Sequence, residues 1–239
     1  MVNSTVTSPL KSESHVRLSR ATEVSEQLKR DVSDFKLVPG DRFTETEISE
    51  RLGVSRTPVR QALFRLQQEG FVEVLFRSGW RVLPFDFDQF EELYDLRQVL
   101  ETTAVHRLCE GAAEIDQSQL EALAAIWLVS PALRSQDAAQ VALWDEVFHC
   151  ALVAAAGNAE MARVHRDVTD RIRVIRRLDF TKQPRIDATY DEHGKILLAI
   201  QHKRGDQAAL LLRTHIQTSQ TEVRKITLHQ VQMARQAVR

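Results

Sequence analysis

The stretch "LGVSRTPVRQAL" (residues 52–63) crowds two arginines, two hydroxyls and a proline around the opening turn of one helix. Val59, Ala62, Leu63 and Leu66 recur at the three- and four-residue spacing of a buried helix face. One capping side chain is enough to start a helix. Ser55, Arg56, Thr57 and Arg60 supply far more, on the side away from the apolar stripe. Pro58 falls in the first turn, where a missing N–H costs nothing. Just upstream, Gly53 closes a short helix expected over 44–52, as a glycine past a helix end commonly does.

Working outward, Ala21, Val24, Leu28, Val32 and Phe35 predict a first amphipathic helix over 19–35, and "VPGD" at 38–41 predicts a turn. "FVEVLF" (71–76) and "WRVL" (80–83), separated by "RSG", read as a β-hairpin. Helix, short helix, glycine turn, helix and hairpin make a winged helix-turn-helix over 16–84. In such a motif the second helix enters the major groove with its N-terminal residues at the base edges. Arginine forks onto guanine O6 and N7, and serine and threonine hydroxyls suit phosphates or bases. Gly79, read as the hairpin tip between Arg77 and Arg81, lets the wing approach the DNA backbone.

Pro84 marks a boundary. Beyond it the pattern is helical throughout, with helices expected over 88–110, 116–129, 135–156, 159–179, 187–203 and 206–228. Asp88 with Glu91 resembles a capping box for the first of them. The fold class is therefore mainly α: three helices and a β-hairpin wing, then an all-α bundle of six or seven helices over 85–228. Residues 1–15 read as a polar arm and 229–239 as a polar tail.

Composition narrows the setting. With 32 basic and 33 acidic residues among 239, no global charge bias points to a partner. Two cysteines, Cys109 and Cys150, make no disulfide framework and fit a reducing compartment. No run approaches the roughly 20 apolar residues of a membrane span, and "MVNSTVTSPLKSESH" has no apolar signal region. A cytoplasmic protein without a membrane partner is expected.

"WDEVFHCAL" places Asp145 and His149 one turn apart on a single helix face. His193 lies 12 residues before Gly205 and His215 lies 10 after it. In an antiparallel helical hairpin turning at Gly205 the two imidazoles meet at nearly one height. Three imidazoles and a carboxylate gathered in a bundle interior are costly without a shared partner, and a divalent metal resolves that cost. The donor set suits zinc, nickel, iron or manganese. His106, His165, His202 and His229 lack such an arrangement and read as structural or exposed. Arg171, Arg173, Arg176 and Arg177 read as a solvated basic face, with one of them reaching the ligand cavity or the DNA-binding domain as the alternative. Glu146 and Glu192 read as pointing away from the ligands.

"PGDRFTETEISERLGVSRTPVRQALFRLQQEGFV" with "RSGWRV" resembles the DNA-binding domain of the GntR superfamily of bacterial transcription regulators. "DEVFHCALVAAAGN" and "EHGKILLAIQHKRGDQAALLLRTHI" resemble the FCD effector domain of its FadR-type subfamily. The resemblance implies a homodimer reading an inverted repeat of double-stranded DNA, with Arg51, Ser55, Arg56, Thr57, Arg60 and Gly79 at the duplex. Thr46 and Gln61 depart from the arginine and glutamate many members carry there. The resemblance further implies a metal set of Asp145, His149, His193 and His215, with zinc the first expectation, and open metal positions for a small organic acid. Arg97 falls where the family carries a cavity-facing arginine; a surface salt bridge with Glu101 four residues on is the alternative. A ligand-responsive repressor follows, with a pure metal sensor as the alternative. A helical metalloenzyme is disfavoured by the absence of HExxH and of an adjacent His-Asp pair.

Overall fold

The computed structural model describes residues 19–84, 86–111, 116–180 and 183–225; the expected arm and tail lie outside these. Helix α1 (Arg20–Ser33) starts on Ser19, whose side chain accepts from the Thr22 N–H. It stops short of the expected end because Phe35 turns into the left-handed region (φ 59°). Helix α2 (Glu45–Leu52) opens on a reciprocal capping box of Thr44 and Glu47 and ends at Gly53, left-handed at φ 63°. Helix α3 (Arg56–Gln68) buries Val59, Ala62, Leu63 and Leu66, the stripe expected from their spacing.

Strands β2 (Val72–Leu75) and β3 (Gly79–Val82) form the antiparallel hairpin, with Val72 opposite Val82 and Leu75 opposite Gly79. A two-residue strand, β1 (Arg42–Phe43), joins the other edge of β3 and gives the order β1-β3-β2. Two residues are too few for alternation to register in a sequence, and β1 escapes prediction for that reason.

The second half is a helical bundle: α4 (Phe87–Glu110), α5 (Gln117–Trp127), α6 (Ala138–Ala155), α7 (Ala159–Asp179), α8 (Gln183–Gln201) and α9 (Gly205–Arg224). A single 3₁₀ turn, Pro131–Leu133, links α5 to α6. The cap of α4 is Asp86, which accepts from the Gln89 N–H, not the expected Asp88. Pro184, expected to separate helices, instead lies within the first turn of α8. Helix α4 packs on α9 and α6, α6 on α5 and α7, and α8 on α9 and α5. By length and hydropathy α6 is apolar enough to cross a membrane. It packs as a core helix, however, with Asp145 and His149 among its buried residues.

The two halves meet where α1 packs against α7. The nearly buried Lys29 ammonium pairs with Glu69 at 2.8 Å in its own half and with Asp170 of α7 at 3.5 Å. Beside it, Arg177 of α7 pairs with Asp34 just past α1, and its Nη1 also lies 3.5 Å from the Ser33 carbonyl.

Candidate DNA-reading face and metal centre

The start of α3 presents Ser55, Arg56, Thr57 and Arg60 to solvent. Ser55 is the N-cap residue, yet its side chain makes no capping hydrogen bond, so the hydroxyl is not spent on the helix. Arg60 is gripped by Glu45 at the start of α2: Nε donates at 3.0 and 3.1 Å and Nη2 at 2.8 Å. Arg56 Nη2 reaches the same carboxylate at 3.5 Å. Arg51 Nη2 donates to the buried Asp31 carboxylate at 2.7 Å. Gly79 is not the hairpin tip: it opens β3, and the exposed residues 76–78 form the loop. A Cβ at Gly79 would sit 2.5 Å from the Phe43 carbonyl oxygen, so β1 itself demands the glycine.

In the bundle, α6 supplies Asp145 and His149, α8 supplies His193, and α9 supplies His215, all at most 3% exposed. Their inward atoms converge. Asp145 Oδ1 lies 3.3 Å from His193 Nε2, 3.5 Å from His149 Nε2 and 3.9 Å from His215 Nε2. His215 Nε2 is 3.2 Å from His149 Nε2 and 3.4 Å from His193 Nε2. Four donors placed tetrahedrally about 2 Å from a metal stand roughly 3.3 Å apart, so these separations fit a common ion. Asp145 Oδ1 is also buried without a hydrogen-bond partner, an atom that an ion would satisfy. Among the described residues this is the one cluster of its kind.

A second layer orients the ligands. His149 Nδ1 meets Glu101 Oε2, and His215 Nδ1 meets Glu192 Oε2, each at 2.6 Å. Bonding through Nδ1–H leaves each Nε2 lone pair facing the centre. Arg176 donates to Asp145 Oδ2. His193 is held by its ring, stacked on Phe148 at 3.6 Å and met by Trp127 at 4.3 Å. Burial pushes His193 down to about 3 and His215 well below the usual imidazole range, which keeps both neutral, the ligating form. Burial alone would raise the Asp145 carboxyl; Arg176 and the neighbouring imidazoles outweigh it and hold the group well below the usual range.

Several expectations need correction. Glu192 does not point away: it reaches across to His215. Three of the four arginines of the basic run on α7 are paired within the protein and not left to solvent. Arg173 pairs with Glu146 and Asp170, the buried Arg176 with Asp145, and Arg177 with Asp34. One sign was readable, since Arg176 falls four residues after buried Ile172, on the apolar stripe. Arg97 makes the expected pair with Glu101, but buried and not at the surface. The pair runs through Nε at 2.6 Å, and Nη1 and Nη2 have no hydrogen-bond partner. His165, expected to be structural or exposed, is structural: it is buried and its Nε2 meets Glu101 at 2.9 Å.

Together these features define a class: a winged-helix DNA-binding protein joined to a helical bundle that encloses an Asp-His-His-His quartet. Comparison with known proteins agrees. Residues 20–82 match the family described as "Bacterial regulatory proteins, gntR family", and residues 92–218 match the FCD domain. The Nta operon transcriptional regulator of Aminobacter aminovorans is 30% identical over 75% of this chain and 82% of its own length. The gluconate operon transcriptional repressor of Bacillus licheniformis is 23% identical over 92% of each chain. Among solved structures, E. coli McbR/YncC superposes with a TM-score of 0.74 at 21% identity, covering 87% of this chain and 99% of its own. The chain belongs to the GntR family of DNA-binding transcriptional regulators, with an FCD domain as its second half.

Proposed function

We propose that the chain is a cytoplasmic, homodimeric repressor that reads an inverted-repeat operator through Arg51, Ser55, Arg56, Thr57, Arg60 and the wing at Gly79. Its bundle holds a divalent metal, zinc before nickel, iron or manganese, on Asp145, His149, His193 and His215. The observation that carries the reading is the convergence of four buried donor atoms around the partnerless Asp145 Oδ1. The bound metal would supply positive charge and exchangeable coordination positions. Arg97 supports a small organic carboxylate as effector, because its two buried η-nitrogens have no acceptor within the protein. A fixed guanidinium fork suits a carboxylate. Repression is favoured because one relative spanning 92% of this chain is named a repressor.

Coupling between the halves runs through α7. Arg176 touches the ligand Asp145, and its neighbour Arg177 touches Asp34 of the DNA-binding half. A parallel chain of ion pairs runs from Glu146 through Arg173 and Asp170 to Lys29. A shift at the metal centre thereby biases how α1 sits on the bundle.

The test is the metal content of purified wild type beside His193→Ala, by elemental mass spectrometry without added metal. About one ion per chain in the wild type, and little in the variant, is the expected result. No metal in either would sink the centre and leave only the DNA-binding assignment. DNA affinity measured with zinc alone, and with zinc plus a panel of hydroxy and sugar acids, separates the effector reading from a pure metal sensor.

A further inference from the structure

Glu45 stands out once the reading face is drawn. It is an acidic side chain in the groove between the recognition helix and the wing, lined also by Arg56, Arg60, Phe64, Val74 and Arg77. Its side chain is only 15% exposed. Both of its carboxylate oxygens accept from Arg60, and one also faces Arg56. Hydrogen bonding from Arg60 holds the carboxyl below its usual range, so it stays ionised at neutral pH. A negative charge at a surface meant for DNA opposes binding to any phosphate backbone, so it calls for a compensating role.

We infer that Glu45 is a specificity-determining positioning residue, which fixes the guanidinium groups of Arg60 and Arg56 for base edges and offsets their attraction to phosphate. The bidentate grip takes Nε and Nη2 of Arg60 and leaves Nη1 directed elsewhere, so the arginine arrives at the groove already ordered. Ordering flexible side chains before binding removes a cost otherwise met on the DNA, on the order of tenfold in affinity for two arginines. The charge acts on the other side of the ratio. Non-specific affinity scales with phosphates neutralised, each adding about 0.9 to the salt slope. One carboxylate between two arginines removes roughly one such contact.

The test uses the full chain, with two probes. One is the duplex that wild type enriches from a randomised pool, and the other is a scrambled duplex of equal length. Glu45→Gln keeps the length and removes the charge; Glu45→Asp keeps the charge and shortens the reach. Both variants are expected to lower the ratio of enriched to scrambled affinity about tenfold. Only Glu45→Gln is expected to tighten scrambled-duplex binding and to steepen its salt slope by about one. A ratio unchanged in either variant overturns the inference. So does a parallel loss of both affinities with a lowered melting temperature, which would make the carboxylate a support for the α2–α3 packing alone. So does a lowered ratio accompanied by a new preferred base when Glu45→Gln is put through the same enrichment. Glu45 would then read a base itself.

Discussion

Glu101 concentrates the bundle's electrostatics in one side chain. Fully buried, it takes Arg97 Nε and His165 Nε2 on one oxygen and His149 Nδ1 on the other. Burial opposes its ionisation, but Arg97 and His149 beside it hold it well below the usual carboxylate range. Glu101→Gln leaves the Arg97 charge buried without its partner. Breaking a buried pair in this way costs about 3 kcal/mol or more, whereas an exposed pair is worth under about 1 kcal/mol. Urea unfolding of the variant is expected to show that larger loss; a change below 1 kcal/mol would mean that water reaches the site. The spacing of Arg97 and Glu101 made their pairing legible in the sequence, but the same spacing describes any surface salt bridge. The distinguishing sign is register. Tyr94, Arg97, Glu101, Val105 and Leu108 share one buried stripe of α4, so the two charges lie where apolar residues belong. His165 was less legible, because its link to Glu101 spans 64 positions and no local pattern reports it.

Among the elements, boundaries marked by caps and glycines were the readable ones, and contacts between elements were not. Gly53 ends α2 in the left-handed region with open space where a Cβ would go. Gly79 combines φ 81° with a Cβ position 2.5 Å from backbone oxygen. The sequence reads Gly53 as closing a helix and Gly79 as a wing tip, with no sign of the crowding at Gly79. The difference between them depends on β1, a strand too short to foresee. Gly53→Ala is therefore expected to cost only the left-handed strain, about 1 kcal/mol. Gly79→Ala is expected to cost at least twice that, because Phe43 must move and the β1–β3 pairing with it. Thermal unfolding of the two variants side by side decides the matter, and equal losses would mean that the β1 edge yields freely. On the proposed reading face the wing carries a part, so Gly79→Ala is expected to weaken DNA binding even well below its melting point. Gly53→Ala is expected to leave binding near wild type.

At the scale of the whole molecule the question is how a buried quartet speaks to a reading head in the other half of the chain. The helical period supplies the geometry: Arg176 and Arg177, consecutive on α7, project about 100° apart, one inward to Asp145 and one across to Asp34. The sequence allows one arginine of the run to reach the cavity or the DNA-binding half, but does not say which one or to which partner, since each link joins residues far apart in sequence. The contact between the halves can be reversed in sign without touching a proposed metal ligand or DNA-reading residue. Asp34→Arg alone, or Arg177→Asp alone, sets like charges against each other where α1 meets α7. Each is expected to keep its metal, and to keep DNA affinity in the metal-stripped state. Each is also expected to lose most of the difference in DNA affinity between loaded and stripped protein, a coupling of roughly 1–3 kcal/mol in switches of this kind. The double exchange restores the pair in opposite sense and is expected to restore the difference, an interaction that only a double-mutant cycle isolates. Fluorescence anisotropy on one duplex, with and without metal, gives all eight affinities. If the single reversals keep the full wild-type difference, the Arg177–Asp34 pair is simple packing and the signal leaves the bundle by another face.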